Sequence, residues 1–313
     1  MRWICLIVLL CLRLNSQVTQ PWTQPIEALI ASGDLRQARQ RLTQETAARG
    51  ETAAGLYLDA RILFEEQRYG EALQAVQRSL TMAPAAPELY KLAALSAIRL
   101  DRLDIAEPAL KTAAQLAPDD YLVHFHLGAL YYTKSLFLAA RPELERAAQL
   151  NSRYMPALLF LGLTLEEVGD EKSTVATYQR AIEVAALQRS AREMPYIYLG
   201  RFYYRRDRFD EGLPLLEKAA EINTGSGEAW LELGKTLHSL KRDSEAVAAL
   251  ERSAAAEAQD PEPHYLLFRI LESHGHEQAA QRELKRFQEL NKQRPTRDVA
   301  RRKLSPPSPK AAN

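Results

Sequence analysis

Histidines and paired carboxylates are the side chains of this sequence best suited to chemistry, and neither set has catalytic spacing. His124 and His126 lie two positions apart in a helical segment, so their side chains diverge. His274 and His276 flank Gly275 in a tight turn that could hold a surface metal ion, but no cysteine or H-E-x-x-H spacing accompanies them. We therefore expect no metal site and interpret the histidines as surface or groove residues.

The serines and glycines of the sequence do not form a known catalytic or cofactor motif either. There is no G-x-S-x-G turn, no phosphate-binding loop and no dinucleotide glycine fingerprint. The paired carboxylates Glu65–Glu66 and Glu166–Glu167 close predicted helices, where solvated acids are common. We predict that the chain is not an enzyme and takes no cofactor. The alternative is a catalytic set assembled from distant parts of the chain.

Glycine and proline recur at one period along the chain. Within each of three sets, successive positions are separated by 34 residues or a multiple of 34, and one interval in each set has four extra residues. The sets are Gly128, Gly162, Gly200 and Gly234; Pro108, Pro142 and Pro214; and Gly33, Gly169 and Gly275. All three sets agree on a four-residue insertion between Ile182 and Gly200. Because residues 185–192 contain no proline or glycine, we expect a lengthened helix there.

Each period reads as two helices joined by a turn. In residues 121–154, Leu127, Gly128 and Tyr131 have helical spacing, and so do Ala140 and Leu144 after a break at residues 133–135. The small residues leave space where the two helices approach each other, and the leucines and the tyrosine fill the volume around that contact. The segment is therefore predicted to be a helix–turn–helix hairpin.

The repeat resembles a known family. A period of 34 with W-x-x-L-G-x-x-Y and A-x-x-x-F signals is typical of the tetratricopeptide repeat, and Trp230, Leu233, Gly234 and Leu237 match its first half. The chain resembles a tetratricopeptide repeat protein over residues 19–291. The resemblance implies an all-α, right-handed superhelical solenoid of about eight helix–turn–helix units. These units are expected near residues 19–52, 53–86, 87–120, 121–154, 155–192, 193–226, 227–260 and 261–291.

The two ends of the chain have a different composition. Arg2 and the apolar run Trp3–Leu12 are typical of a secretory signal peptide, which we place at residues 1–16. Cleavage there would remove both cysteines, Cys5 and Cys11, and leave no transmembrane span. A retained amphipathic start is the alternative. Residues 292–313 are basic and proline-rich, which predicts a disordered tail. We expect an exported bacterial protein, periplasmic or secreted.

The remaining candidate for function is the surface. The formal net charge of +1 gives no reason to expect nucleic acid binding. In the resembled family the first helix of each unit lines a concave groove, and aromatic and arginine side chains are enriched at binding hot spots. We predict a groove for a protein or peptide partner lined by Tyr57, Arg61, Phe64, Phe125, Tyr132, Ile197, Arg201, Tyr204, Tyr265 and Arg269.

In this interpretation Phe125, Tyr132 and Tyr204 receive apolar side chains of the partner, while Arg201 and Arg269 pair with its carboxylates. Some of the aromatics could instead pack between neighbouring units. The protein would be a non-enzymatic binding scaffold outside the cytoplasm. The alternative function is an accessory or assembly factor of a cell-envelope complex that acts through the ends or the convex face of the array. The sequence leaves the oligomeric state and the partner's identity open.

Overall fold

The computed structural model describes residues 20–82, 86–187 and 192–293. Within these ranges it contains sixteen helices and no strand. Consecutive helices pair into eight hairpins, each with a first and a second helix. The predicted all-α helical-repeat fold is thus confirmed. The chain divides into two compact units, up to Ser152 and from Arg153, which we call the N-terminal and C-terminal units.

The N-terminal unit contains four hairpins. Their helices are α1 (Gln24–Ala31), α2 (Leu35–Arg49), α3 (Ala53–Glu65), α4 (Tyr69–Met82), α5 (Pro87–Arg99), α6 (Leu103–Leu116), α7 (Tyr121–Thr133) and α8 (Phe137–Leu150). The first helix, α1, has only eight residues and starts with Pro25 in its first turn. Proline is tolerated there because the first N–H groups of a helix have no intrahelical acceptor.

The C-terminal unit contains the other four hairpins. Their helices are α9 (Met155–Val168), α10 (Glu171–Ala186), α11 (Met194–Tyr204), α12 (Phe209–Ile222), α13 (Gly227–Ser239), α14 (Asp243–Ala256), α15 (Glu262–Ser273) and α16 (Glu277–Gln293). Helix α10, which precedes the insertion, has 16 residues, whereas α12 and α14 have 14 each. Two of the four inserted residues therefore lengthen the second helix, and residues 188–191 lie outside the described ranges.

The predictions for the two ends of the chain fall mostly outside the described residues. The proposed signal segment, residues 1–16, lies outside the described residues. Helix α16 continues to Gln293, so the first two residues of the segment predicted to be a disordered tail are helical. The rest of that segment, from residue 294, lies outside the described residues.

A glycine of the first helix packs against a large side chain of the second helix in four hairpins. A Cβ at Gly128, Gly200 or Gly234 would lie 2.6, 2.6 or 2.7 Å from the Cγ of the leucine opposite. In the fourth case a Cβ at Gly162 would overlap the ring of Tyr178, which is fully buried. Glycine at this position lets the helix backbones approach closely, and the facing side chain fills the resulting slot.

Every hairpin turns through a residue in the left-handed region. Three of these residues are the periodic glycines Gly33, Gly169 and Gly275. The other five carry side chains: Gln67, Asp101, Ser135, Asp207 and Lys241. The next residue donates its N–H to the carbonyl five positions earlier, as Leu136 does to Tyr131 at 2.8 Å. This is the Schellman arrangement that ends an α-helix. The turn geometry is therefore shared even where glycine is absent.

The repeated prolines occupy a different turn of the helix from the one expected. Because they stand early in the second helices, the sequence predicts Pro108, Pro142 and Pro214 to be first-turn residues, where a missing N–H has no consequence. Each is instead the sixth residue of its helix and exposed to solvent. An N–H at this depth normally bonds to the carbonyl four positions earlier, so each proline removes one helical hydrogen bond. Their exposure lets water solvate the released carbonyl.

Candidate binding surface on the first helices

Two predicted groove residues of the N-terminal unit form a solvent-accessible pair. Tyr57 and Arg61 lie four positions apart on α3, and both are half-buried. The guanidinium carbon of Arg61 lies 5.8 Å from the centroid of the Tyr57 ring, within the range of a cation–π contact. Burial raises the pKa of Tyr57. The pair presents an aromatic ring and a positive charge together.

Three predicted groove aromatics contact the second helix of their own hairpin. Each ring packs on the aromatic residue five positions later: Phe64 on Tyr69 at 5.2 Å, Tyr132 on Phe137 at 5.4 Å and Tyr204 on Phe209 at 5.4 Å between centroids. Every one of these partners is the first residue of its helix. The rings therefore close the hairpin turns, and Phe64 and Tyr204 keep only part of their surface for a partner.

Phe125, Tyr132 and Ile197 are buried, which corrects their assignment to an open groove. They are 3%, 8% and 0% exposed, respectively. Ile197 belongs to a core cluster with Leu216 of α12 and Leu231 of α13. Helix α11 packs against both of those helices, and Ile197 is fully buried in this cluster. All three residues therefore support the packing of the hairpins and leave little surface for a partner.

Arg201 finds its carboxylates within the chain, contrary to the prediction that a partner supplies them. Its Nη2 lies 2.6 Å from Glu228 Oε1, and its Nε donates to Glu232 Oε1 at 3.1 Å. Burial disfavours the charge on Arg201, but the carboxylates of Glu232 and Glu228 outweigh burial and raise its pKa. The guanidinium is therefore neutralised between α11 and α13.

Lys235 continues this network along the first helices of the C-terminal unit. Its Nζ lies 3.3 Å from Glu232 and 2.6 Å from Glu262 on α15. Burial opposes its charge, but Glu232 and Glu262 raise the pKa of Lys235. We did not single out the three glutamates from the sequence. A signal was present, because Glu228 follows Arg201 at the same sequence distance as Glu262 follows Lys235.

Tyr265 and Arg269 form the most accessible part of the predicted site. Both are exposed on α15, and Arg269 Nη1 donates to Tyr265 Oη at 3.2 Å. The Tyr265 ring lies 5.2 Å from that of Phe287 on α16. Tyr57 with Arg61, and Tyr265 with Arg269, are thus the predicted residues that the structure brings together in pairs with solvent access.

The N-terminal unit has its own half-buried polar group on the first helices. Lys91 of α5 lies 2.6 Å from Asp120, which precedes α7. His126 of α7 is close to this ion pair, and burial lowers the pKa of His126 to about 4. The imidazole is therefore neutral near pH 7. Its position beside Lys91 adds to the cost of protonating it.

Two further histidines, His124 and His264, each pair with a carboxylate on the second helix of their hairpin. His124 Nδ1 lies 2.7 Å from Glu143, and His264 Nδ1 lies 2.7 Å from Glu283. These pairs occupy the same place in two hairpins and join the first helix to the second. Among the residues that the structure describes, no three His, Cys, Asp or Glu side chains form a group suited to a metal ion. The His124 and His264 contacts therefore connect helices within hairpins, whereas His274 lies 3.4 Å from Asp243 of the preceding hairpin.

Of the helices in the described ranges, none has the length and apolar character needed to cross a membrane.

Solved structures with a similar fold extend over most of the chain. The C-terminal part of a tetratricopeptide repeat protein from Cytophaga hutchinsonii matches with a TM-score of 0.61 at 13% identity, covering 78% of this chain and 98% of that one. The Cut9–Hcn1 hetero-tetramer of the APC/C matches with a TM-score of 0.60 at 20% identity, covering 79% of this chain and 48% of that one. YrrB matches with a TM-score of 0.52 at 20% identity, covering 64% of this chain and 97% of that one. At these identities the similarity concerns the fold.

Sequence comparisons lead to the same repeat. Human tetratricopeptide repeat protein 13 is 29% identical over 112 residues, which are 36% of this chain and 13% of that protein's length. Two family models described as tetratricopeptide repeat match residues 26–87 and 91–156, and residues 203–270. Together these matches cover more than half of the chain. Proteins with this repeat are typically interaction scaffolds without catalytic activity. The chain therefore belongs to the tetratricopeptide repeat family.

Proposed function

We propose that this chain is a non-enzymatic scaffold that binds a protein or peptide partner on the solvent-accessible side of its first helices, outside the cytoplasm. The observation that carries the proposal is the repeated tyrosine–arginine pair, Tyr57 with Arg61 and Tyr265 with Arg269. Each pair joins an aromatic ring and a guanidinium four positions apart on one helix, with solvent access. Such side chains bury a large area and bind carboxylates with directional hydrogen bonds.

The comparisons support peptide binding by this kind of fold. YrrB is described as a tetratricopeptide repeat protein with an unusual peptide-binding site. Its identity to this chain is too low to transfer individual residues, so the assignment here depends on the two tyrosine–arginine pairs. Because the ion pairs of Arg201 lie within the chain, we assign that residue a supporting role.

A pull-down with the full-length chain tests this proposal. We expect a partner from the source organism's extracellular or envelope fraction to bind the unmodified chain and to be lost with the double variant Tyr57→Ala, Arg61→Gln or with Tyr265→Ala. Arg36→Gln, an exposed arginine on the second helix α2, is the matched control and should retain the partner. Equal retention by all variants would move the site away from the first helices.

Action outside the cytoplasm is supported by the sequence of residues 1–16, with Arg2 before an apolar run. Intact-mass measurement of the native protein tests this part. We expect a mass that lacks residues 1–16. A mass that includes them contradicts cleavage and favours a retained N-terminus.

Exposed leucines give the assembly-factor alternative a specific candidate surface. In the N-terminal unit Leu136 is 45% exposed and Leu138 is 80% exposed, at the turn and the start of α8. A partner that binds there would be lost with Leu138→Ser and retained with the Tyr57→Ala, Arg61→Gln variant. The same pull-down therefore separates the two functions.

A further inference from the structure

A cation recurs at the same position in the last three first helices. Arg201, Lys235 and Arg269 are each one repeat period apart. The first two contact a glutamate in the first turn of the next first helix: Arg201 with Glu228 and Lys235 with Glu262, each at 2.6 Å. The C-terminal unit thus joins successive first helices through one repeated ion pair.

Arg269 is the last cation of this series and has no equivalent glutamate. At the sequence distance that separates Arg201 from Glu228, Arg269 is followed by Thr296, which carries no charge. Within the described part of the chain, Arg269 contacts no carboxylate, and the oxygen it bonds belongs to Tyr265. An exposed guanidinium therefore lies where the two preceding repeats hold an ion pair with the next helix.

Within the described ranges, Tyr265, like Arg269, lacks the contacts that the equivalent residues of the two preceding repeats make. The equivalent residues of α11 and α13 are Ile197 and Leu231, which are 0% and 6% exposed. Tyr265 is 38% exposed, and its ring contacts Phe287. Where the earlier repeats bury an aliphatic side chain, the last repeat exposes an aromatic one beside an exposed cation.

We propose that Tyr265 and Arg269 form a docking site for a partner α-helix that carries glutamate in its first turn. Charge complementarity specifies the occupant, because the two preceding repeats pair this cation with such a glutamate. A carboxylate in the first turn also interacts favourably with the helix dipole. The inference rests on the proposed function, since both residues belong to the binding surface described above.

The chain's own continuation does not have the sequence of another first helix. One period after α15, the positions that hold Leu233 and Gly234 in α13 are occupied by Arg301 and Arg302. Two adjacent arginines lack the apolar, small pair that packs a first helix against a second one. A helix from another molecule therefore matches the site better.

The experiment uses the chain's own α13 as the probe. A capped synthetic peptide of residues 225–241 carries Glu228 and Glu232, the glutamates that bind Arg201. A lactam bridge away from both glutamates keeps the peptide helical, because an isolated helix of about this length is marginal in water. Its binding to the full-length chain is measured by fluorescence anisotropy at low salt.

We expect saturable binding that weakens about tenfold when Arg269→Gln replaces the guanidinium, because a charge-assisted bidentate contact is lost. A peptide with both Glu228→Gln and Glu232→Gln should show a similar loss. Arg282→Gln, which removes an exposed arginine of α16, is the matched control and should bind like the unmodified chain. Circular dichroism checks that every variant is equally helical.

Three results would overturn the inference. One is equal binding to the unmodified chain and to Arg269→Gln, and another is no saturable binding at millimolar peptide. The third is Arg269-dependent self-association in sedimentation without peptide binding, which would assign the surface to a second copy. A native partner that is lost with Tyr57→Ala, Arg61→Gln while the peptide fails to bind would leave the proposed function standing without this docking site.

Discussion

Arg201 on α11 donates a hydrogen bond to Glu232 in the next first helix, α13, and Glu232 is only 6% exposed. The same carboxylate lies 3.3 Å from Lys235. The buried carboxylate of Glu232 therefore pairs with two cations from neighbouring repeats, Arg201 and Lys235. Charged residues on the first helices of this unit stabilise the stacking of the hairpins as well as forming its surface.

Replacement of Glu232 should destabilise the C-terminal unit. Glu232→Gln leaves Arg201 and Lys235 with one carboxylate fewer, and we expect a loss of about 1–3 kcal/mol in the free energy of unfolding. Glu221→Gln is the control, because its pair with Lys218 is mostly exposed and such pairs contribute about 0–1 kcal/mol. Urea unfolding followed by circular dichroism compares them. Equal effects would contradict the structural role of Glu232.

His126 should make the N-terminal unit less stable in acid. The pKa of His126 is about 4 in the folded chain and about 6.5 in an unfolded one. Between these values the unfolded chain binds a proton that the folded chain does not, so stability falls as the pH is lowered from about 6.5 to about 4. The loss is up to about 3 kcal/mol for a shift of this size.

The pH effect is measured by comparing His126→Phe with the unmodified chain from pH 7 to pH 4. The stability of the variant should fall less steeply in this window, because it lacks the titrating ring. Parallel curves would mean that His126 does not experience the burial seen here.

The slot opposite Tyr178 should not accept a side chain. Gly162→Ala places a methyl group against the buried Tyr178 ring, and we expect a loss of about 1–3 kcal/mol from overpacking. Gly70 on α4 is the control, since nothing lies within 4 Å of its hypothetical Cβ. Gly70→Ala should stabilise by about 0.5–1 kcal/mol through helix propensity. Denaturant unfolding should therefore show a lower free energy of unfolding for Gly162→Ala and a higher one for Gly70→Ala. Changes of the same sign would contradict the packing described here.

Replacing the lysine at one of the hairpin turns with glycine should stabilise the folded chain. Lys241 has a φ of 62°, a conformation that costs an L-residue other than glycine roughly 1–2 kcal/mol. Lys241→Gly therefore should raise stability by up to about 1 kcal/mol, the remainder being lost to the greater entropy of unfolded glycine. Gly275→Ala, at the equivalent turn of the next hairpin, should have the opposite effect. Thermal unfolding measures both.

The buried and exposed members of the predicted groove should respond differently to truncation. Ile197→Ala removes a fully buried side chain and should cost about 2–5 kcal/mol. Arg269→Ala removes an exposed one and should change stability by about 0.5 kcal/mol or less. If Ile197→Ala leaves urea unfolding unchanged, the core position of Ile197 is wrong.

The repeated hairpins were predictable because their signals are local. Gly128 and Leu144 lie within one short segment, and their types and the turn between them already indicate two helices in close contact. The turns at Gln67, Asp101, Ser135, Asp207 and Lys241 were harder to recognise, since no glycine marks them. They adopt the left-handed conformation because the helix spacing on either side requires it.

The candidate site was predicted less completely, since burial depends on neighbours that the local pattern does not specify. Ile197 and Arg201 are four positions apart on one helix, and both were assigned to an open groove. The neighbouring helix α13 buries the first and neutralises the second. Tyr265 and Arg269, at the equivalent positions of the last described hairpin, are exposed.

By itself, the sequence determined the period, the helical hairpins and the family, because helix spacing and small-residue contacts are encoded within each repeat. Tertiary structure decided which first-helix residues face solvent, because that depends on the adjacent hairpin. The carboxylates of Glu228, Glu232 and Glu262 illustrate the difference. Glu228 and Glu232 reach Arg201, and Glu262 reaches Lys235, only because neighbouring repeats stack.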